Sequence, residues 1–164
     1  MRFAPAFAAL SLALALNSSV SWGSEPQVNA AAAALIADGR SALQRGETQT
    51  AIDLFEAALT ADPAYTPVLL DLAAAARADQ LQGKAIGYYR QALLRDPGNL
   101  DAIAGEGSAY AEKGALEKAR GNLAQLRSLC GSGCAQVSTL AAAIERGRTL
   151  PVLAADTAAQ PAQN

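Results

Sequence analysis

Apolar residues along the middle of the chain recur with the period of a helix. In AIDLFEAALTADP, residues 51–63, Ala51, Ile52, Phe55, Ala58 and Leu59 fall at i, i+1, i+4, i+7 and i+8, one stripe along a helix, while Asp53 and Glu56 take a solvated face. The phrase AIGYYRQALLRDP, residues 85–97, repeats the stripe at an offset of 34: Ala51 aligns with Ala85, Ile52 with Ile86, Phe55 with Tyr89, Ala58 with Ala92, Leu59 with Leu93, and Pro63 with Pro97. Each phrase predicts an amphipathic helix. Proline disfavours α geometry in the residue before it, so the two helices should end near Asp62 and Asp96. A second helical segment lies upstream of each phrase. Alanine runs at 30–34 and 73–76 support the helical reading, because alanine loses no side-chain entropy in a helix. The expected fold class is all-α.

The unit resembles the tetratricopeptide repeat (TPR), a helix-turn-helix of 34 residues. In the first unit, 32–65, Leu35, Gly39 and Ala42 occupy the packing places of the first helix, Gly46 makes the turn, and Ala51, Phe55, Ala58 and Pro63 complete the second-helix signature. The second unit, 66–99, supplies Leu69, Leu72, Ala73 and Ala76, then Ala85, Tyr89, Ala92 and Pro97, with Gln80 where the turn glycine is expected. The third, 100–133, gives Ile103, Gly107, Tyr110, Gly114, Ala119 and Leu123 before departing: Leu126 replaces the small alanine and Gly131 the proline. Alanine at 51, 85 and 119 allows close approach of paired helices, and the larger residue at 55, 89 and 123 fills the space between units. Thr66 before Pro67, and Asn99 before Leu100, are the expected N-caps of the following first helices. The resemblance implies a short right-handed α-solenoid of about three units, in which each unit buries its apolar face against the next.

Where a third Asp-Pro should stand, Cys130 and Cys134, the only cysteines, bracket Gly-Ser-Gly. Val137, Leu140, Ala141 and Ile144 then form another helical stripe, expected to be a capping helix over 134–148, followed by a tail from 149 to 164 with two prolines and no stripe. The glycines let the two sulfurs meet, and a disulfide clamping the turn is one reading of the pair. The alternative is a thiol-dependent metal carrier or redox accessory, in which two thiolates take a soft ion such as Cu(I). Haem attachment and thioredoxin-like exchange call for C-x-x-C spacings that are not here.

Composition narrows the chemistry. With no histidine in 164 residues, the commonest general base and metal ligand are missing, and no acid, base and nucleophile converge by spacing. The expectation is a protein that is not an enzyme and has no cofactor. Thirteen Lys and Arg stand against 15 Asp and Glu, without a basic run, which argues against nucleic acid. At the N-terminus Arg2 precedes an apolar run from Phe3 to Leu16, too short to span a membrane, and small residues follow at Ser19, Ser21 and Gly23. This outline predicts a signal peptide over 1–23, cleaved after Ser21 or Gly23, a linker over 24–31, and a periplasmic rather than secreted bacterial protein with no stable membrane insertion after cleavage.

Members of the repeat family mostly bind other proteins, laying a peptide or a helix along the concave surface of their first helices. Carried onto this chain, that surface would present Ile36, Arg40, Leu43, Leu70, Asp71, Ala74, Arg77, Ala104, Ser108 and Glu112. Chaperone-binding members clamp an acidic tail there with lysines and asparagines. Ile36, Arg40, Asp71, Asp101 and Gly105 hold those places here, so that activity is not implied. The expected function is an interaction scaffold or adaptor in a cell-envelope assembly such as a pilus, a secretion apparatus or an envelope-maintenance complex.

Overall fold

Three residues spaced by 34, Gly46, Gln80 and Gly114, adopt the left-handed backbone conformation, with φ of +79°, +59° and +81°. Each closes a helix in the same way. The amide of the following residue donates to a carbonyl five residues back (Glu47 to Ala42, Leu81 to Ala76, Ala115 to Tyr110), and the left-handed residue itself donates to a carbonyl three back (Leu43, Arg77, Ala111). These paired bonds are a Schellman motif, which satisfies the last carbonyls of a helix and reverses the chain. Repeated three times, it makes three helical hairpins.

The computed structural model describes residues 28–149. The expected signal peptide, linker residues 24–27 and the tail beyond Thr149 lie outside the described residues. The helices are α1 (Ala30–Gln44), α2 (Thr48–Ala61), α3 (Val68–Ala78), α4 (Gln82–Arg95), α5 (Leu100–Glu112), α6 (Leu116–Cys130) and α7 (Ala135–Thr149), with no strand among the described residues. Helices α2 and α4 end one residue before Asp62 and Asp96, as the following prolines require. Asn99 caps α5, its side chain accepting from the Ala102 amide at 2.9 Å. Thr66 does not cap α3. Pro67 is already in α geometry, α3 opens at Val68, and the Thr66 carbonyl instead accepts from the Leu69 amide in a tight turn. Asn29, which precedes the first repeat phrase, caps α1 and also donates to Asp62 Oδ2 and the Ala61 carbonyl, tying the start of the first hairpin to its end.

Consecutive helices pack as antiparallel neighbours, and α1 touches α3, α3 touches α5 and α5 touches α7. Among the described residues the backbones of α2, α4 and α6 stay apart, and long side chains span the gap, as between Tyr88 of α4 and Glu56 of α2. An inner row in contact and an outer row apart describe a curved stack with α1, α3, α5 and α7 on its concave side. Helix α7 lies against α5 and α6, where a fourth unit would begin. Ala51, Ala85 and Ala119 are fully buried, and Phe55, Ile52, Leu69, Leu72, Ile103, Leu126 and Leu140 are the bulk of the core. Burying each of the larger side chains is worth about 1.5–3 kcal/mol.

Helix α5 is enclosed on every side: Ala102 to Ala111 are all buried. Its one buried carboxylate, Glu106, is fully partnered. Arg90 Nε of α4 donates to Oε1 at 3.1 Å, and Asn122 Nδ2 of α6 donates to Oε2 at 2.9 Å. Arg90 also donates to the Tyr110 hydroxyl. A charge taken out of water costs several kcal/mol unless so satisfied, so this group pins three helices in one register.

Two outcomes are expected. Gln80→Gly should stabilise the stack by about 0.5–1 kcal/mol, because an L side chain at positive φ is strained and glycine is not, whereas Gly46→Ala should destabilise it by a similar amount; thermal melts that move in the same direction would contradict this. The second concerns alkaline pH. Burial, aided by the Glu56 carboxylate that accepts its proton at 2.8 Å, pushes the Tyr88 phenol up to about 12, and burial raises Tyr89 as well. Both hold their protons more tightly folded than unfolded, where the value is 10.0. Their contribution is therefore intact below pH 10 and is lost as pH rises above it, in the case of Tyr88 as pH climbs toward 12. Denaturant titrations across that window should show stability falling less steeply in Tyr88→Phe than in the parent.

Candidate functional site

The concave face is stitched across its helices by polar pairs. Arg40 of α1 reaches Asp71 of α3 in a two-pronged bridge, Nε to Oδ1 at 3.0 Å and Nη2 to Oδ2 at 2.8 Å. Arg77 of α3 does the same with Glu112 of α5, Nε to Oε2 at 3.1 Å and Nη2 to Oε1. Gln136 of α7 donates from Nε2 to Asp101 Oδ1 of α5 at 2.9 Å. The hydrogen bond to Glu112 raises the Arg77 guanidinium further above its ordinary range, so its charge is fixed. All these pairs are partly exposed, so each adds at most about 1 kcal/mol to stability. Their larger effect is to occupy the charges a ligand would otherwise meet.

Between α3, α5 and α7 the face sinks into a depression of about 350 Å³ lined by Arg77, Tyr89, Asp101, Ala104, Gly105, Ser108, Ala135, Gln136 and Thr139. Its floor is made of small residues of α5, and Tyr89 enters from the outer row. A Cβ at Gly105 would overlap the Tyr89 ring and lie 2.6 Å from its oxygen, so the glycine is the gap through which the phenol reaches the concave side. There the oxygen meets Arg77, whose charge partly offsets the rise that burial imposes on the phenol. Ser108 Oγ donates to the Ala104 carbonyl at 2.8 Å.

The ten residues expected on this surface separate into groups. Arg40, Asp71, Arg77 and Glu112 form the two bridges, and Arg77, Ala104 and Ser108 line the depression. Ala74 is exposed one turn from both Asp71 and Arg77 and shares their face. Leu43 is half-buried against the core. Leu70 lines a different cleft, about 240 Å³, with Thr66, Pro67, Ala92, Arg95, Asp96 and Asn99. Ile36 is a correction: at 5% exposure it is a core residue, because its register on α1 turns it into the stack. Ala104 and Ser108 are also nearly covered, at 6% and 3%, and offer floor rather than a protruding contact.

Repeat spacing confines the groove to the three first helices and so misses the contribution of α7. A signal is present in the chain: Val137 lies 34 residues after Ile103, so Ala135, Gln136 and Thr139 fall at the register of α5 residues that include Asp101 and Gly105. The sulfurs of Cys130 and Cys134 stand at disulfide distance in the turn that leads into α7, with Cα atoms 6.0 Å apart. The described residues hold no group of three or more His, Cys, Asp or Glu placed to bind a metal.

No family model and no curated protein sequence matches the chain. Solved structures do. The Sgt2 TPR domain from Aspergillus fumigatus is 25% identical with a TM-score of 0.65, the alignment covering 73% of this chain and 78% of that one. The first TPR of Spaghetti (RPAP3), bound to the HSP90 peptide SRMEEVD, is 19% identical with a TM-score of 0.63, covering 72% of this chain and 93% of that one. PcrH in complex with the chaperone binding region of PopD is 21% identical with a TM-score of 0.61, over 71% and 90% of the two chains. The fold is that of the tetratricopeptide-repeat family, an all-α solenoid.

The gap at Gly105 yields a test. Gly105→Ala should cost about 1–3 kcal/mol by overpacking against Tyr89, whereas Gly121→Ala, on the exposed side of α6 with nothing near the new methyl, should stabilise by up to about 1 kcal/mol. Thermal melting of the two variants checks this; equal shifts would mean that Tyr89 does not pack into the gap at Gly105.

Proposed function

We propose that this TPR-fold chain is a non-enzymatic adaptor of the bacterial cell envelope, exported by its N-terminal signal and holding a segment of another protein on the concave face. The observation that carries the reading is the depression between α3, α5 and α7, at the centre of an inner face whose helices are braced across one another. A braced, preorganised groove loses little freedom when a partner binds. Two similar structures support the class of partner: the RPAP3 domain holds an HSP90 peptide, and PcrH holds a region of PopD. The apolar N-terminal run with small residues after it supports export. An envelope assembly is the setting in which an exported protein with no catalytic constellation would act.

Site-specific photo-crosslinking in intact bacteria tests the reading. A photoreactive residue at Ala74, exposed on the inner row, should trap one discrete partner in the envelope fraction, and the same residue at Gln91, exposed on α4 of the outer row, should trap none. Adducts equally strong from both positions, or a chain retained in the cytoplasm with Met1 intact, would overturn it.

A further inference from the structure

We propose that the depression between α3, α5 and α7 is a side-chain pocket that takes an arginine or lysine of the partner segment. This rests on the concave face being the partner's groove and adds the chemistry read there.

Two neutral side chains of the lining spend a donor inside the protein and keep acceptor capacity. Gln136 gives Nε2 to Asp101, which leaves its amide oxygen. Ser108 gives its proton to the Ala104 carbonyl, which leaves the Oγ lone pairs. Arg77 is the one cation in the lining, and its fork is occupied by Glu112. Asp101 is the one anion in the lining, and its bonded neighbour there is a neutral amide. In the two bridges of this face a carboxylate meets a guanidinium, Asp71 with Arg40 and Glu112 with Arg77, whereas Asp101 meets an amide. A cavity whose one carboxylate has a neutral amide as its side-chain partner is complementary to a donor-rich cationic side chain, whose hydrogen bonds to an ionised acceptor are about twice as strong as neutral ones. The size agrees: about 350 Å³ is at the low end for ligand sites, suited to one side chain rather than a cofactor. The small floor at Ala104 and Gly105 lets an aliphatic stem lie against α5 while its head reaches Asp101.

Panning short random peptides on the purified exported chain is the test. Selected peptides should share one arginine or lysine position. A synthetic selected peptide should bind Asp101→Asn roughly tenfold more weakly, the worth of one charge-assisted contact. Gln136→Lys, which sets a cation against Asp101, should give the same loss, and Asp53→Asn on the outer row should leave binding unchanged. Melting curves of the variants separate binding from folding, and higher salt should weaken the parent more than Asp101→Asn. Peptides that share apolar or acidic positions and no basic one, or a parent-like affinity for Asp101→Asn, would overturn the pocket and leave the groove standing. Selection of no peptide at all would overturn the groove reading and the pocket with it.

Discussion

Everything in this stack depends on how closely helices can approach, and that distance is set at positions where a side chain is a methyl or nothing. Phe55 lies where a Cβ on Gly39 would stand, Tyr89 where one on Gly105 would, and Leu140 of the last helix where one on Gly107 would. Each large ring or branched chain is thus received by a hole in a first helix. Dispersion is lost steeply with even sub-ångström gaps, so these fitted pairs, with alanine at 51, 85 and 119, hold the helices at a separation that buries Ala102 to Ala111. The same closeness puts the inner-row side chains within reach of one another across helices. The bridges of the concave face follow from packing that takes place behind them.

Much of the fold is legible in the pattern of the chain itself. The stripe of apolar residues, the 34-residue offset and the two Asp-Pro stops are local signals, set by helix period and by proline sterics. The turn at Gln80 is harder to read, since glycine is the residue that tolerates positive φ. The hairpin geometry there is imposed by tertiary packing, which overrides the residue's own preference. Thr66 misleads for a similar reason: a good capping residue stands one position away from the register at which Asn99 caps its helix, and Pro67 has already set the backbone.

The candidate site is legible only in part. Spacing suggests which helix face points inward, and three of the residues it singles out, Arg77, Ala104 and Ser108, line one cavity. It does not show that Arg40 and Arg77 are consumed by Asp71 and Glu112, because a pairing between helices depends on crossing geometry that no single helix encodes. Nor does it show that Tyr89, a packing residue between units by its repeat position, passes over Gly105 of α5 to reach Arg77. That depends on the absence of one Cβ, at a glycine outside the helix-turn signature.

The Glu106 cluster bears on how far this molecule is modular. Repeat arrays are commonly pictured as beads that can be added or removed in whole units. Excising the middle 34 residues in register would bring the first unit's second helix against α5, and the residue arriving in the place of Arg90 would be Glu56. Two carboxylates would then meet where Glu106 is already buried, without the guanidinium that now serves it. The second unit is therefore not interchangeable with the first, however alike their phrases: the sign of the residue that meets one buried carboxylate distinguishes them, and the chain is a sequence-specific object built from similar parts.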